Sequence, residues 1–140
     1  VSLDLYTARV SYGGPDRLDV ARQTSDATGV VFAPSWALLR PAKAAQRAGT
    51  FDAAAWAAYE RAYVNEMRFS YARNAGTWLG LLRRHGSVTL CCFCVLAPGK
   101  PWCHRLPLAA VLVKTAAAHG FEVRYRGERG DATERENDHE

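Results

Sequence analysis

The stretch that decides the fold is Ser87-Val88-Thr89-Leu90-Cys91-Cys92-Phe93-Cys94-Val95, followed by Cys103-His104-Arg105 and an alanine- and leucine-rich run to His119. The first segment is apolar and rich in β-formers, the pattern of a central strand covered on both faces. A loop with Pro98, Gly99 and Pro101 interrupts it. Residues 104–119 read as a helix with Pro107 in its first turn, where a missing N–H is tolerated, and Gly120 ends it. Residues 121–126 return as a strand. Strand, helix and strand in succession make a βαβ unit, so the chain is predicted to be α/β.

Working outward, residues 3–10 alternate as a first strand, and Ser11-Tyr12-Gly13-Gly14-Pro15-Asp16 reads as a turn or phosphate-sized loop. Residues 17–22 suit a short second strand. Pro34-Ser35-Trp36 opens a helix to about residue 48, with Ser35 as N-cap. Thr50 is the expected cap of a long helix whose Trp56, Tyr59, Tyr63 and Met67 form one apolar stripe. A further helix, residues 77–85, is expected to end at Gly86. The expected architecture is a single compact Rossmann-like domain over residues 1–126: a small, mostly parallel sheet with flanking helices and a C-terminal βαβ unit. Residues 127–140 are polar and charged, and are expected to form a disordered acidic tail.

At 140 residues and 15.4 kDa the chain is long enough to bury a core without disulfides or metal. Its net charge of +4 divides unevenly. Residues 1–126 carry 16 Lys/Arg against 8 Asp/Glu, whereas residues 127–140 carry 2 against 6. A basic body favours an anionic partner. No apolar stretch approaches the ~20 residues needed to span a bilayer, so no membrane partner is expected. Val1-Ser2-Leu3-Asp4-Leu5-Tyr6 shows no basic n-region ahead of an apolar run, so no secretion signal is read. The four cysteines crowd between Cys91 and Cys103 rather than stapling distant segments, which fits a reducing, cytoplasmic setting.

Chemistry concentrates where the central strand meets its crossover helix. Cys92 and Cys94 share a strand face, and Cys103-His104-Arg105 opens the helix, where free backbone N–H groups favour anions. Ligands of open α/β sheets bind at this end of the strands. Three roles are possible. Arg105 and the helix N-terminus can hold a phosphate or carboxylate, with Cys103 or His104 as nucleophile or acid/base. Cys92, Cys94, Cys103 and His104 can ligate zinc, although the spacing is not that of a standard finger. Cys94 and Cys103 can exchange a disulfide, without a Cys-x-x-Cys signature. Against these stands plain core packing, favoured for Cys91 and Cys92 because free cysteines are commonly buried.

Thr7-Ala8-Arg9, Ser11 to Val20, Phe32-Ala33-Pro34-Ser35-Trp36, Glu66-Met67-Arg68-Phe69-Ser70 and Cys92-Phe93-Cys94 with Cys103-His104-Arg105 together resemble the "domain of unknown function 488" family. The resemblance is to the branch with a Gly-Pro-Asp-Arg-Leu-Asp stretch and spans most of residues 5–126. It implies a compact α/β fold with a site at the strand–helix junction, and no particular reaction. The chain departs from the family in its loop after Cys94, which lacks the acidic residue common there.

The catalytic candidates are therefore Cys103 and His104. The ligand-binding candidates are Arg9, Ser11, Tyr12, Arg17, Asp19, Arg22, Ser35, Trp36, Arg68, Cys94 and Arg105. The expected ligand is an anionic small molecule, nucleotide-like, or a nucleic acid; the expected reaction, if any, is hydrolysis or transfer at a phosphate or glycosidic centre. No Walker or Rossmann glycine motif is present, and neither a cofactor nor a metal is assigned in this reading. The alternative is a non-catalytic nucleic-acid-binding module, with a Cys/His zinc site as a variant.

Overall fold

The apolar stretch forms strand β3 (Gly86–Cys92) inside a four-stranded sheet. The structure is a computed structural model that describes residues 2–94, 96, 99–100 and 102–130. Ahead of β3 come β1 (Ser2–Arg9), β2 (Arg17–Asp19), a 3-10 turn (Gly29–Phe32), α1 (Trp36–Ala48), α2 (Ala53–Arg73) and α3 (Ala75–Leu82). After it come α4 (Arg105–Ala118) and β4 (Glu122–Glu128). The strand order is β2-β3-β1-β4 and every pairing is parallel. The result is a single α/β domain consistent with the Rossmann-like expectation, with the sheet wholly rather than mostly parallel. No helix among the described residues is long and apolar enough to cross a membrane.

Strand register sorts the side chains into two faces, because they alternate with period two. Leu3, Leu5 and Thr7 of β1 align with Gly86, Val88 and Leu90 of β3, and Leu18 of β2 joins them. Leu3, Leu5, Leu18, Val88, Leu90 and Cys92 enter one core with Tyr59, Tyr63 and Met67 of α2, Trp78 of α3 and Leu108 and Leu112 of α4. The Tyr59–Tyr63–Met67 stripe is buried as its spacing requires, and Trp56 packs against its edge. The opposite face carries Tyr6, Ala8, Thr89 and Cys91.

That second face is covered by the connection between β1 and β2. Only seven residues, 10–16, join these parallel strands, although β3 lies between them. Register puts Arg17 and Tyr6 level with Thr89, so the chain has to step back only about three residues along β3, roughly 10 Å. It does so over the face opposite the helices: Tyr12 packs with Ala8 and Cys91, and Asp16 bonds Ser87 and Thr89 of β3. Gly14 permits the tight path, since a Cβ there would fall 1.9 Å from the Tyr12 hydroxyl oxygen.

Several boundaries differ from the sequence reading. Asp52, not Thr50, caps α2, accepting from Ala55 N at 2.9 Å; the Thr50 N–H instead closes α1 by bonding Ala45 O. The third helix stops at Leu82, and Gly86 opens β3 with φ 89° rather than capping the helix. β3 ends at Cys92, and Phe93 turns outward with 56% of its surface exposed, so the strand does not reach Val95, itself outside the described residues.

The largest correction concerns the start of the tail. β4 continues through Gly127 and Glu128, and Arg129 N bonds Thr7 O at 2.6 Å, so the folded body does not stop at residue 126. Residues 131–140 lie outside the described residues. A bulge explains why the two extra residues matter. Leu5 pairs with Tyr125 but Tyr6 pairs with Gly127, so β4 carries one residue more than β1 there. A one-residue shift flips every later side chain to the other face. Glu128 thereby lies level with Thr7, on the helix-covered face, where it meets Arg105. Gly127 holds the bulge at φ 114°, a conformation that side-chain-bearing residues rarely adopt.

Gly127→Ala is expected to cost about 1–3 kcal/mol of stability through this strained φ. Glu128→Ala is expected to cost about 2–4 kcal/mol, because it leaves the Arg105 charge buried without its partner while Glu128 itself keeps some contact with water. Urea unfolding of the two variants checks both values.

Candidate functional site

Beyond the end of β3 three sulfurs converge. Cys92 closes the strand and faces the helices, Cys94 follows it at half-buried depth, and Cys103 sits buried just before α4. Their Sγ atoms all lie within 4.8 Å of one another. Cys91, one residue away, faces the opposite side of the sheet with Ala8 and Tyr12.

Arg105, the first residue of α4, holds this cluster. Its guanidinium is fully buried and directs Nη1 to Cys92 Sγ at 3.1 Å and to the Cys94 carbonyl oxygen at 2.8 Å. Nε and Nη2 make a two-pronged ion pair with Glu128 at 3.1 and 2.6 Å. Interaction with the Cys103 and Cys94 thiols holds the Cys92 sulfur far below the usual thiol range despite its burial, and the Arg105 charge adds to this. The Cys103 thiol acts to lower Cys94, but interaction with Cys92 together with burial outweighs it and Cys94 is pushed up to about 11. Burial and the neighbouring sulfurs raise Cys103 well above its ordinary value. Of the three sulfurs, Cys92 is the one shifted toward the thiolate, and Cys94 and Cys103 are shifted away from it.

His104 lies beside the sulfurs with Nε2 2.9 Å from the Val20 carbonyl oxygen and Nδ1 3.9 Å from Cys103 Sγ. A carbonyl only accepts, so Nε2 carries the proton and Nδ1 is the bare nitrogen. Burial lowers the His104 pKa and keeps the ring neutral. Tyr63 packs edge-on against it, ring centres 5.4 Å apart.

A pocket of about 40 Å³ opens above the cluster. Cys92, Cys94 and His104 line it, Arg22 and Lys43 are its two cations, and Phe93 stands at its edge. Among these predicted residues, then, Arg22, Cys94 and His104 converge on one cavity. Cys103 lies beneath it, 1% exposed, and its thiol does not line the cavity. Arg105 also departs from its expected role: its N–H groups are engaged by Glu128, Cys92 and Cys94, so it organises the sulfurs instead of holding a phosphate.

The remaining candidates scatter. Arg9 and Ser11 are exposed at the end of β1. The Tyr12 hydroxyl donates to Asp16 at 2.6 Å, and Arg17 donates to the Val10 and Tyr12 carbonyls, so both brace the β1–β2 loop. Asp19 accepts from Ala21 N at 3.0 Å and lies 3.9 Å from Arg17. Ser35 caps α1 as expected, accepting from Leu38 N at 3.1 Å, and its own N–H and hydroxyl donate to Glu66. Trp36 is partly exposed beneath Arg40, 5.0 Å from its ring centre. Arg68 lies away from the sulfurs, in a groove of about 610 Å³ between α2 and α4.

Sequence reasoning did not single out Lys43 or Glu128, and it named Cys92 only as a possible zinc ligand while favouring core packing for it. Cys92 shares its strand face with Cys94, a signal that was legible but outweighed by the commonness of buried cysteine. Lys43 lies one turn after Leu39 on α1, and both line the pocket. Glu128 carried no local signal, because only the bulge brings it to Arg105.

A thiolate is expected in the native chain at neutral pH. Its near-ultraviolet absorbance should persist as pH falls well below 9, disappear in Cys92→Ser and remain in Cys91→Ser.

No curated protein and no solved structure gives a significant match to this sequence. The family DUF488-N3a, described as the active DUF488-N3 subclade, matches residues 4–116, a span that includes the sulfurs, His104 and Arg105 but stops short of Glu128. On that match the chain belongs to the DUF488 family.

Proposed function

We propose that the pocket above the sulfur cluster binds an anionic, nucleotide-like ligand, and that the protein is an enzyme acting on it by hydrolysis or transfer at a phosphate or glycosidic centre. The observation that carries this reading is the pair of cations in the lining: Arg22 and Lys43 are present, no carboxylate lines the cavity, and neither cation forms an ion pair among the described residues. About 40 Å³ accommodates roughly three waters or one phosphate-sized group, so the anionic end of a ligand enters and the rest stays outside. The exposed Phe93 ring at the rim offers a stacking surface for a base. The description of the matching subclade as active agrees with an enzyme.

In this reading Arg22 and Lys43 orient the anion, and the sulfur cluster supplies the reactive group beneath it. His104 is neutral, and its bare Nδ1 is able to accept a proton. Arg105 acts as a positioning residue, fixing the sulfurs through Cys92 and the Cys94 carbonyl.

The nucleic-acid-binding alternative draws on a different surface. Arg61, Arg68 and Lys114 flank the groove between α2 and α4 against the single acid Glu60. Polyanion binding there would weaken steeply with salt and fall with Arg68→Ala.

Titration with inorganic phosphate and a nucleoside monophosphate, followed by NMR, tests the proposal. Arg22→Ala and Lys43→Ala are each expected to weaken binding about tenfold, the loss of one charge-assisted contact, while Arg68→Ala leaves it unchanged. No response to either ligand, or dependence on Arg68 alone, would overturn it.

A further inference from the structure

The geometry points to Cys92, Cys94 and Cys103 as a three-thiolate site for one zinc-class cation, with the fourth coordination position directed to the pocket. Zinc with thiolate ligands at about 2.3 Å in tetrahedral array sets its sulfurs about 3.8 Å apart. The three Sγ atoms already lie within 4.8 Å of one another, so side-chain adjustments of about 1 Å complete the sphere. Cys92 is fixed by the end of a sheet strand and Cys103 by the start of a helix, which makes the ligand set rigid without a standard finger spacing.

The surroundings fit such a complex. Three thiolates around a divalent cation carry one net negative charge, and Arg105 offers a buried positive charge with an N–H directed at Cys92 Sγ, 3.1 Å away. Glu128 orients that guanidinium through its two-pronged pair. Outer partners of this kind tune and orient metal ligands. Uptake of the cation displaces the thiol protons to solvent, forming three S–metal bonds with no change of oxidation state. His104 Nδ1 stands beside the cluster but outside the set of mutually close ligand atoms, so it is not counted as a ligand. The pocket that Cys92 and Cys94 line, with Arg22 and Lys43 above, faces the remaining position. Its use by an anion rests on the function proposed above; the metal site itself does not.

The test uses the full chain, stripped of metal under reducing conditions, loaded with zinc or cobalt(II) alone and then desalted. Elemental analysis is expected to find about one equivalent per chain. Zinc should block alkylation of Cys94, the half-buried member of the cluster, read by peptide mapping of the native chain, so the answer does not depend on whether a variant folds. Cobalt should give thiolate charge-transfer absorbance. Cys94→Ser and Cys103→Ser should each lose at least tenfold in affinity, with Cys91→Ser unchanged. Failure of the folded chain to retain zinc, retention undiminished in Cys94→Ser and Cys103→Ser, or a disulfide within the cluster in place of metal uptake would overturn the site. Phosphate should shift the cobalt spectrum; a spectrum unmoved by phosphate would overturn the open position. Loss of that shift in Arg22→Ala with cobalt still bound would separate the anion reading from the metal site.

Discussion

A buried guanidinium is stable only when every face of it is answered, since an uncompensated charge in a protein interior costs several kcal/mol. Arg105 meets that condition with contacts drawn from three places in the chain. Glu128 at the end of β4 accepts from Nε and Nη2, while Nη1 donates to Cys92 at the end of β3 and to the carbonyl of Cys94. Because Arg105 also begins α4, the interaction fixes the carboxyl edge of the sheet to the start of the crossover helix. The sulfur cluster exists at that junction and nowhere else. The fold and the sulfur cluster therefore depend on the same side chain.

The far side of the sheet repeats the arrangement with the signs reversed. Asp16 accepts from Tyr12, Ser87 and Thr89, and Arg129 lies 3.3 Å from it while stacking on Tyr6. Burial works against the Asp16 charge, but these hydrogen bonds outweigh it and hold its carboxyl below the usual range. Its stabilising effect is accordingly full above the ordinary carboxylate pKa and is lost as pH falls through the lowered one. Glu128 and Arg129 are neighbours in sequence and serve opposite faces. The bulge at Gly127 sets which face each one meets.

The sequence made the α/β class, the parallel βαβ unit and the α2 stripe legible, because hydrophobic period and glycine stops are local signals. It also pointed to the strand–helix junction on the argument that three reactive residues at a helix start are poor core material, yet the structure buries all three. The roles within that junction were not legible. Arg105 beside Cys103 and His104 resembles a phosphate clamp, and only its burial and the distant Glu128 make it an organiser of sulfurs. Glu128 looked like part of an acidic tail because a single bulged residue leaves no compositional trace. Arg17 and Tyr12 had the residue types of a ligand loop, but the short β1–β2 connection uses both to cross β3.

Arg105 links Cys92 to Glu128, two residues that share no hydrogen bond with each other. A double-mutant cycle of Cys92→Ala and Glu128→Gln, read by urea unfolding, measures that link most directly. Members of one buried network are predicted to couple by about 0.5–3 kcal/mol. Additive effects, within about 0.3 kcal/mol, would contradict the linkage and with it the claim that the fold's central ion pair also organises the sulfur site.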